Sequence, residues 1–362
     1  MNRRLHYVDR EAACAIRGMD SARDGSQPTY LIRSLIEEAM TSSQLEGAAT
    51  TRAVAKEMLS TGRQPRDNGE RIIYNNYAVM KYIRDWRERP FTPEAIIELH
   101  RTLTANTVHE NECGRLRTAE DNIVIYDRGS PPTLLHTPPP AHELPQRLQR
   151  LCDFANDADS DLFVHPVVRA ISIHFQIGYD HPFCDGNGRT ARILFYWSML
   201  KSGYWLTEFL SISSVIKKST SKYLTAYLYT ESDEQDLSYF VAQQLDVIEQ
   251  SIKALHAYLA RKTEENRKAE KLLRSAVILG GHLNHRQRSL LANAIHDPDR
   301  SYTVATHLTA HRVTYPTALN DLKALARVGL LQTKKLGKAL HFWPAPNLGE
   351  MLVPKAVTSL NK

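Results

Sequence analysis

Apolar residues recur every three to four positions along most of the chain, so the pattern predicts helix after helix and little sheet. Residues 1–27 are polar, with Gly18 and Gly25 near their end, and read as a short arm with one helix. Pro28 suits the opening of a helix to about Leu45, with Leu31, Leu35, Ile36 and Ala39 on its apolar stripe and Gly47 beyond its end. Further helices are predicted over residues 50–60, 67–86 and 92–103. Ile72, Ile73, Tyr77, Met80 and Ile83 form the core face of the second, and Thr92 and Pro93 start the third. The helical pattern breaks over 110–140. There Asn122-Ile123-Val124-Ile125-Tyr126 has strand-like content and Gly129-Ser130-Pro131-Pro132 turns the chain back, which predicts a β-hairpin. Helical spacing resumes at 145–156, 162–179, 189–200, 207–217, 219–230 and 236–261. His165 and His174, in the 162–179 stretch, are expected to pack in the core; no partner ligands lie at metal spacing.

From about Ala269 a separate unit is expected, with helices at 272–281 and 284–296. Residues 302–310 and 314–328 have helix-turn-helix spacing, and 329–335 with 338–343 read as a two-stranded wing turning at Gly337. His311, Arg312, Tyr315, Thr317, Asn320 and Lys323 lie on the second of these helices or just ahead of it, where they could face a DNA groove.

Charge sharpens that division. The 362 residues carry a formal net charge of +6, but residues 261–362 hold 17 Lys and Arg against 7 Asp and Glu, and the rest 29 against 33. A basic surplus confined to the C-terminal third fits a nucleic-acid surface or a solvated protein-contact domain, and charge alone does not separate them. The four cysteines are scattered and no stretch approaches the ~20 apolar residues of a membrane span. The expectation is a reducing, cytoplasmic setting without a membrane partner.

The densest chemistry lies at residues 181–192, His-Pro-Phe-Cys-Asp-Gly-Asn-Gly-Arg-Thr-Ala-Arg. His181 can exchange a proton near neutral pH. Asp185 can hold a hard cation, and Gly186-Asn187-Gly188 can offer backbone N–H groups to an anion. Arg189 and Arg192, three apart, project from one helical face. The helix behind the loop turns its N-terminus toward it, as in phosphate sites. Such a loop suits a magnesium-bound polyphosphate with a base beside it.

The segment resembles the signature of the Fic family of the Fic/Doc fold: His-Pro-Phe, a free position, Asp or Glu, Gly-Asn-Gly-Arg, two free positions, Arg. The resemblance implies a mainly α protein. Its N-terminal region (1–65) would carry an inhibitory helix at about 28–47. A catalytic core (66–265) would follow, with a flap hairpin at about 114–138, and then a winged-helix-like domain (266–362). It implies transfer of AMP from ATP to a Ser, Thr or Tyr hydroxyl of a target protein docked at the flap. His181 would be the base and Asp185 the Mg2+ ligand. Gly186, Gly188 and the Asn187 side chain would hold the α-phosphate, Arg189 the β-phosphate and Arg192 the γ-phosphate. Cys184 fills a free position and is expected to pack. Ser42-Ser43-Gln44-Leu45-Glu46-Gly47 is similar to the family's inhibitory motif, in which the Glu occupies the second signature arginine. Gly188, where Doc-like relatives carry Lys, favours adenylyl over γ-phosphoryl transfer. Three readings stay open beside this one: removal of AMP supported by Glu46, a DNA-binding regulator using the winged helix, and a homodimer.

Overall fold

The computed structural model describes residues 1–13, 27–126, 130–157, 163–275, 283–296, 301–311, 313–336 and 339–352. The chain divides into two units, the first ending at Leu255 and the second beginning at His256. Among the described residues no helix is long and apolar enough to cross a membrane. Gly18, Gly25, Gly129, Arg312, Gly337, and the expected helical residues beyond Ser275 up to 281, lie outside the described residues.

The first unit is helical apart from one hairpin. Its helices are α1 (Asn2–Val8), α2 (Gln27–Leu45), α3 (Arg52–Thr61), α4 (Asn68–Asp85), α5 (Pro93–Thr104), α6 (Leu144–Ala155), α7 (Pro166–Asp180), α8 (Asn187–Lys201), α9 (Ile212–Lys218) and α10 (Thr220–Ser232); α11 (Ser238–Ser275) starts here. Side-chain caps begin several of them. Thr51 Oγ1 accepts from Val54 N, Asp67 Oδ1 from Glu70 N, and Thr92 Oγ1 from Ala95 N. At the centre α7 packs on α8. Every residue of α8 from Arg189 to Leu200 is buried, the pattern of a helix surrounded on all sides. Trp197 stacks on Phe91 at 4.0 Å and donates its Nε1–H to the Trp86 carbonyl. A helix so enclosed also buries its two arginines, which must then find partners.

Helix α2 packs against α4, α9 and the turn of 3-10 helix at Trp205–Phe209. The single helix expected over 207–217 is split. Leu210 and Ser211 leave the helical conformation, and Ser211 Oγ caps α9 by accepting from Ser214 N. The hairpin is short: β1 (Ile125–Tyr126) pairs antiparallel with β2 (Leu134–His136), Ile125 opposite His136. Helix α7 starts at Pro166 rather than 162, with His165 Nδ1 accepting from Val167 N.

In the second unit α12 (His285–His296), α13 (Val304–His311), α14 (Tyr315–Arg327) and the short α15 (Leu348–Met351) surround a sheet. Its strand order is β3 (Tyr302–Thr303), β5 (Ala339–Pro344), β4 (Leu331–Leu336), all antiparallel. Leu291, Leu322, Leu325 and Phe342 are at most 1% exposed at its core. The buried Asp321 is its polar hub. It accepts two hydrogen bonds from Arg286 (2.7 and 3.2 Å), one from Asn284 (2.7 Å) and one from His307 (3.2 Å). Burial raises the cost of its charge, and these donors outweigh it and hold the carboxyl below its usual range. We expect Asp321→Ala to lower the stability of this unit by about 2 kcal/mol, since it strands a partly buried guanidinium. A urea titration of the full chain, followed at Trp343, measures it.

Candidate active site

The site is built where α7 ends and α8 begins. His181 closes α7 in the left-handed conformation (φ 44°), which turns the chain sharply into the loop. Its Nδ1 lies 3.0 Å from the Gly178 carbonyl. A carbonyl only accepts, so Nδ1 carries the proton and Nε2 keeps its lone pair. Burial first, then the charges of His136 and Arg117, push the His181 imidazole below its ordinary value; the Gly178 carbonyl and Glu46 pull the other way. A neutral ring with a free Nε2 can accept a proton at neutral pH.

Gly186 follows at φ 80° and starts α8, whose first N–H groups have no partner inside the helix. Asn187 also serves the loop itself. Its Oδ1 accepts from Phe183 N (2.9 Å) and its Nδ2 donates one proton to the Phe183 carbonyl (2.8 Å), so the side chain braces the loop. Phe183 is fully buried and stacks on the ring of His100 at 3.7 Å, the anchor expected of it. Cys184 is a packing thiol, pushed up to about 11 by burial and by Asp121.

Arg189 is 1% exposed. One Nη2 contact reaches Asp185 Oδ2 at 2.9 Å, and its Nε and Nη1 have no partner at all. Two orphaned, buried, cationic donors next to a helix N-terminus form a cradle for an anion. The Asp185 side chain is half exposed, and among the described residues no group of three or more His, Cys, Asp and Glu could hold a metal. A cation here would take one protein carboxylate and draw its other ligands from elsewhere, as magnesium does.

Arg192 sits one turn further into α8, is 2% exposed, and is fully engaged from α2. Its Nε donates to Ser42 Oγ (2.9 Å), and its Nη2 to the Ser42 carbonyl (3.0 Å) and Glu46 Oε1 (2.8 Å). Burial opposes its charge, but Glu46, Tyr223 and Glu38 outweigh burial and hold the guanidinium above its ordinary value. Glu46 lies in the turn just after α2, not on the helix, and leans over Gly188. A Cβ added at Gly188 would overlap Glu46 Oε1, so only glycine fits there while the carboxylate is in place.

Several residues that serve the site escaped the sequence reading. His100, on the buried face of α5 with Ile96 and Leu103, accepts from Gly114 N at Nδ1 (3.2 Å) and donates from Nε2 to the Asp185 carbonyl (2.9 Å). Burial pushes it down to about 4, so it serves as a neutral strut. Glu38, 1% exposed, accepts from Ser211 Oγ, Ser213 N and Ser213 Oγ and ties α2 to α9. Arg117, just ahead of the hairpin, donates to the carbonyls of His181 (2.8 Å), Asp180 (3.2 Å) and Pro139 (2.5 Å), and its own N–H to Pro182 (2.9 Å). The one clue was a polar residue on an apolar stripe, at His100 and at Glu38.

Residues 90–199 match the family model described as Fic/DOC family, which spans α5, the hairpin, α7 and the loop into α8. The chain's curated relatives include the protein adenylyltransferase Fic of Nematostella vectensis, 27% identical over 171 residues, covering 45% of this chain and 37% of that protein. The protein adenylyltransferase fic-1 of Caenorhabditis elegans is 34% identical over 109 residues, covering 30% and 19%. The Fic protein of Drosophila willistoni is 29% identical over 206 residues, covering 56% and 39%. The chain thus spans well under half the length of these relatives. Among solved structures, a Fic family protein from Desulfovibrio desulfuricans superposes with a TM-score of 0.58 at 18% identity over 94% of both chains. Residues 134–508 of C. elegans Fic-1 give a TM-score of 0.53 at 21% identity over 72% of both chains. At these identities the likeness is one of fold.

The loop is held by long-range contacts, of which Arg117 makes the most. We expect Arg117→Met to cost about 2–3 kcal/mol, because buried carbonyls lose their donors. Amide hydrogen exchange at residues 181–186 should quicken with it; exchange as slow as in the unaltered chain would show that the clamp is idle.

Proposed function

We propose that this protein is an adenylyltransferase that moves AMP from ATP to the hydroxyl of a target protein, and that Glu46 holds it off. The observation that carries the reading is the unequal state of the two signature arginines. Arg189 has buried donors with nothing to bind, whereas Arg192 is filled by Ser42 and Glu46. A polyphosphate needs both.

In the reaction the Nε2 of His181 takes the proton of the target hydroxyl as its oxygen attacks the α-phosphorus. The bond to the bridging oxygen breaks and pyrophosphate leaves. The free N–H groups opening α8 stabilise the α-phosphate as charge develops on it. Arg189 holds the β-phosphate through Nε and Nη1. Asp185 would hold Mg2+, which when bound neutralises charge on the leaving group. Binding of the γ-phosphate by Arg192 would fix the line of attack, so an arginine held by Glu46 leaves ATP misaligned. The target segment would lie along the hairpin, which offers a strand edge. Gly188 supports adenylyl over γ-phosphoryl transfer, since a lysine there could not coexist with Glu46 in its observed place.

The test is labelling of protein in a lysate from ATP carrying isotope on the α-phosphate. Glu46→Gly should raise it tenfold or more, and adding His181→Ala should remove at least a hundredfold of that rate. Equal labelling from γ-labelled ATP would point to phosphotransfer and overturn the reading.

A second reading concerns the C-terminal unit, which we infer to be a winged helix that binds duplex DNA. Supporting it, Asn320, Lys323 and Arg327 are exposed along one face of α14, and Lys334 and Lys335 are exposed on β4. That is a recognition-helix face with a phosphate-contacting wing. Affinity for a DNA duplex should fall steeply with salt, and Lys334→Glu with Lys335→Glu should reduce the salt slope by about two. Binding that is absent, or indifferent to salt, would favour a protein-contact role.

A further inference from the structure

His136 ends strand β2 of the hairpin, opposite Ile125. Its side chain is 9% exposed and faces two acceptors at once. Nδ1 lies 2.9 Å from Glu231 Oε2, and Nε2 lies 2.7 Å from the Tyr179 carbonyl. A carboxylate and a carbonyl cannot donate, so both contacts are hydrogen bonds only when both ring nitrogens carry protons. A neutral ring would leave one lone pair facing another in a buried place. The ring also packs on that of Tyr179 at 4.8 Å. Thus one side chain joins the hairpin to the last turn of α10, which carries Glu231, and to the end of α7, two residues before His181.

We propose that His136 is a positioning residue for the transfer reaction: as an imidazolium it latches β2 of the flap to α10 and α7, and its charge adds to burial in favouring an unprotonated His181. The proposal rests on the adenylyl-transfer reading of the site. The two histidines take opposite roles in one neighbourhood. Around His136 lie Glu231 from α10, and Tyr179, Asp180 and His181 from the end of α7. Around His181 lie Glu46 beyond α2, Arg117 ahead of the hairpin and His136 itself. Burial works against the charge of His136, but Glu231, the Tyr179 carbonyl and Asp180 outweigh it, so the ring titrates above its ordinary value. The latch is therefore complete below about pH 6.5 and opens as the pH rises through that higher value. The neighbouring cation pushes His181 the other way, which widens the range in which one ring is charged and the other is a base.

Two measurements on the full chain test this. In the Glu46→Gly parent, the pH–rate profile of labelling from α-labelled ATP has an acid limb set by His181. His136→Gln should move that limb to higher pH by roughly half a unit, because the base is then protonated more easily, and Glu231→Gln should do the same by weakening the imidazolium. A limb that stays put in both variants overturns the proposal, whatever happens to the maximal rate, since a purely structural residue would change only that rate. The second measurement needs no activity. In chain labelled with 13C-histidine, the resonance lost in His136→Gln should titrate above 6.5 in the parent and fall in Glu231→Gln. A midpoint at or below 6.5 in the parent overturns the latch. A parent that labels nothing would count against the adenylyl-transfer reading, and the titration would still decide the state of His136.

Discussion

A guanidinium enclosed in the middle of a buried helix has to be paired, and the N-terminal part of this protein follows from how Arg192 is paired. Its donors need acceptors that no residue of α8 supplies, so α2 must end close by with Ser42 and Glu46 in reach. That requirement sets the register of α2 against α8. It also places a carboxylate over Gly188, at the mouth of the loop where an anion would enter. Structural pairing and the proposed control of the site would then be one contact.

The loop itself is held from several directions. Asn187 closes it from within, His100 braces it from α5, and Arg117 fastens it to the base of the hairpin. Because these bonds end on backbone carbonyls and N–H groups, they leave Nε and Nη1 of Arg189 unengaged. The result is a preorganised anion site, with little left to rearrange when charge develops in it.

Much of this was legible in the sequence because it is local. The signature runs through twelve consecutive positions, and its helix–loop–helix frame follows from periodicity and glycine placement. Ser42 and Glu46 were visible from their spacing once the signature gave their partner. What escaped is what depends on distant pairing. Glu38 binds serines more than 170 positions away, and Arg117 reaches carbonyls about 63 further on. Nothing local marks such a residue beyond a polar side chain on an apolar stripe. The bonds of Asn187 to Phe183 were hidden for the same reason, since an amide can face a ligand or its own backbone and composition does not choose. Ends of elements moved where a cap overrode periodicity, as Ser211 does at the start of α9.

The carboxylate of Glu38 sets how the gate can open. Lifting the whole of α2 would part Glu38, whose carboxyl burial pushes above its usual range, from Ser211 and Ser213 and leave buried polar groups unpaired, at about 1–3 kcal/mol each. Swinging out Glu46 alone, at the partly exposed turn beyond the helix, breaks a single ion pair and leaves Arg192 its bonds to Ser42. The hinge is thus confined to the last turn. Whatever would relieve the proposed inhibition has to grip only a few atoms at the rim, and it has to leave the buried Arg192 with another anionic partner.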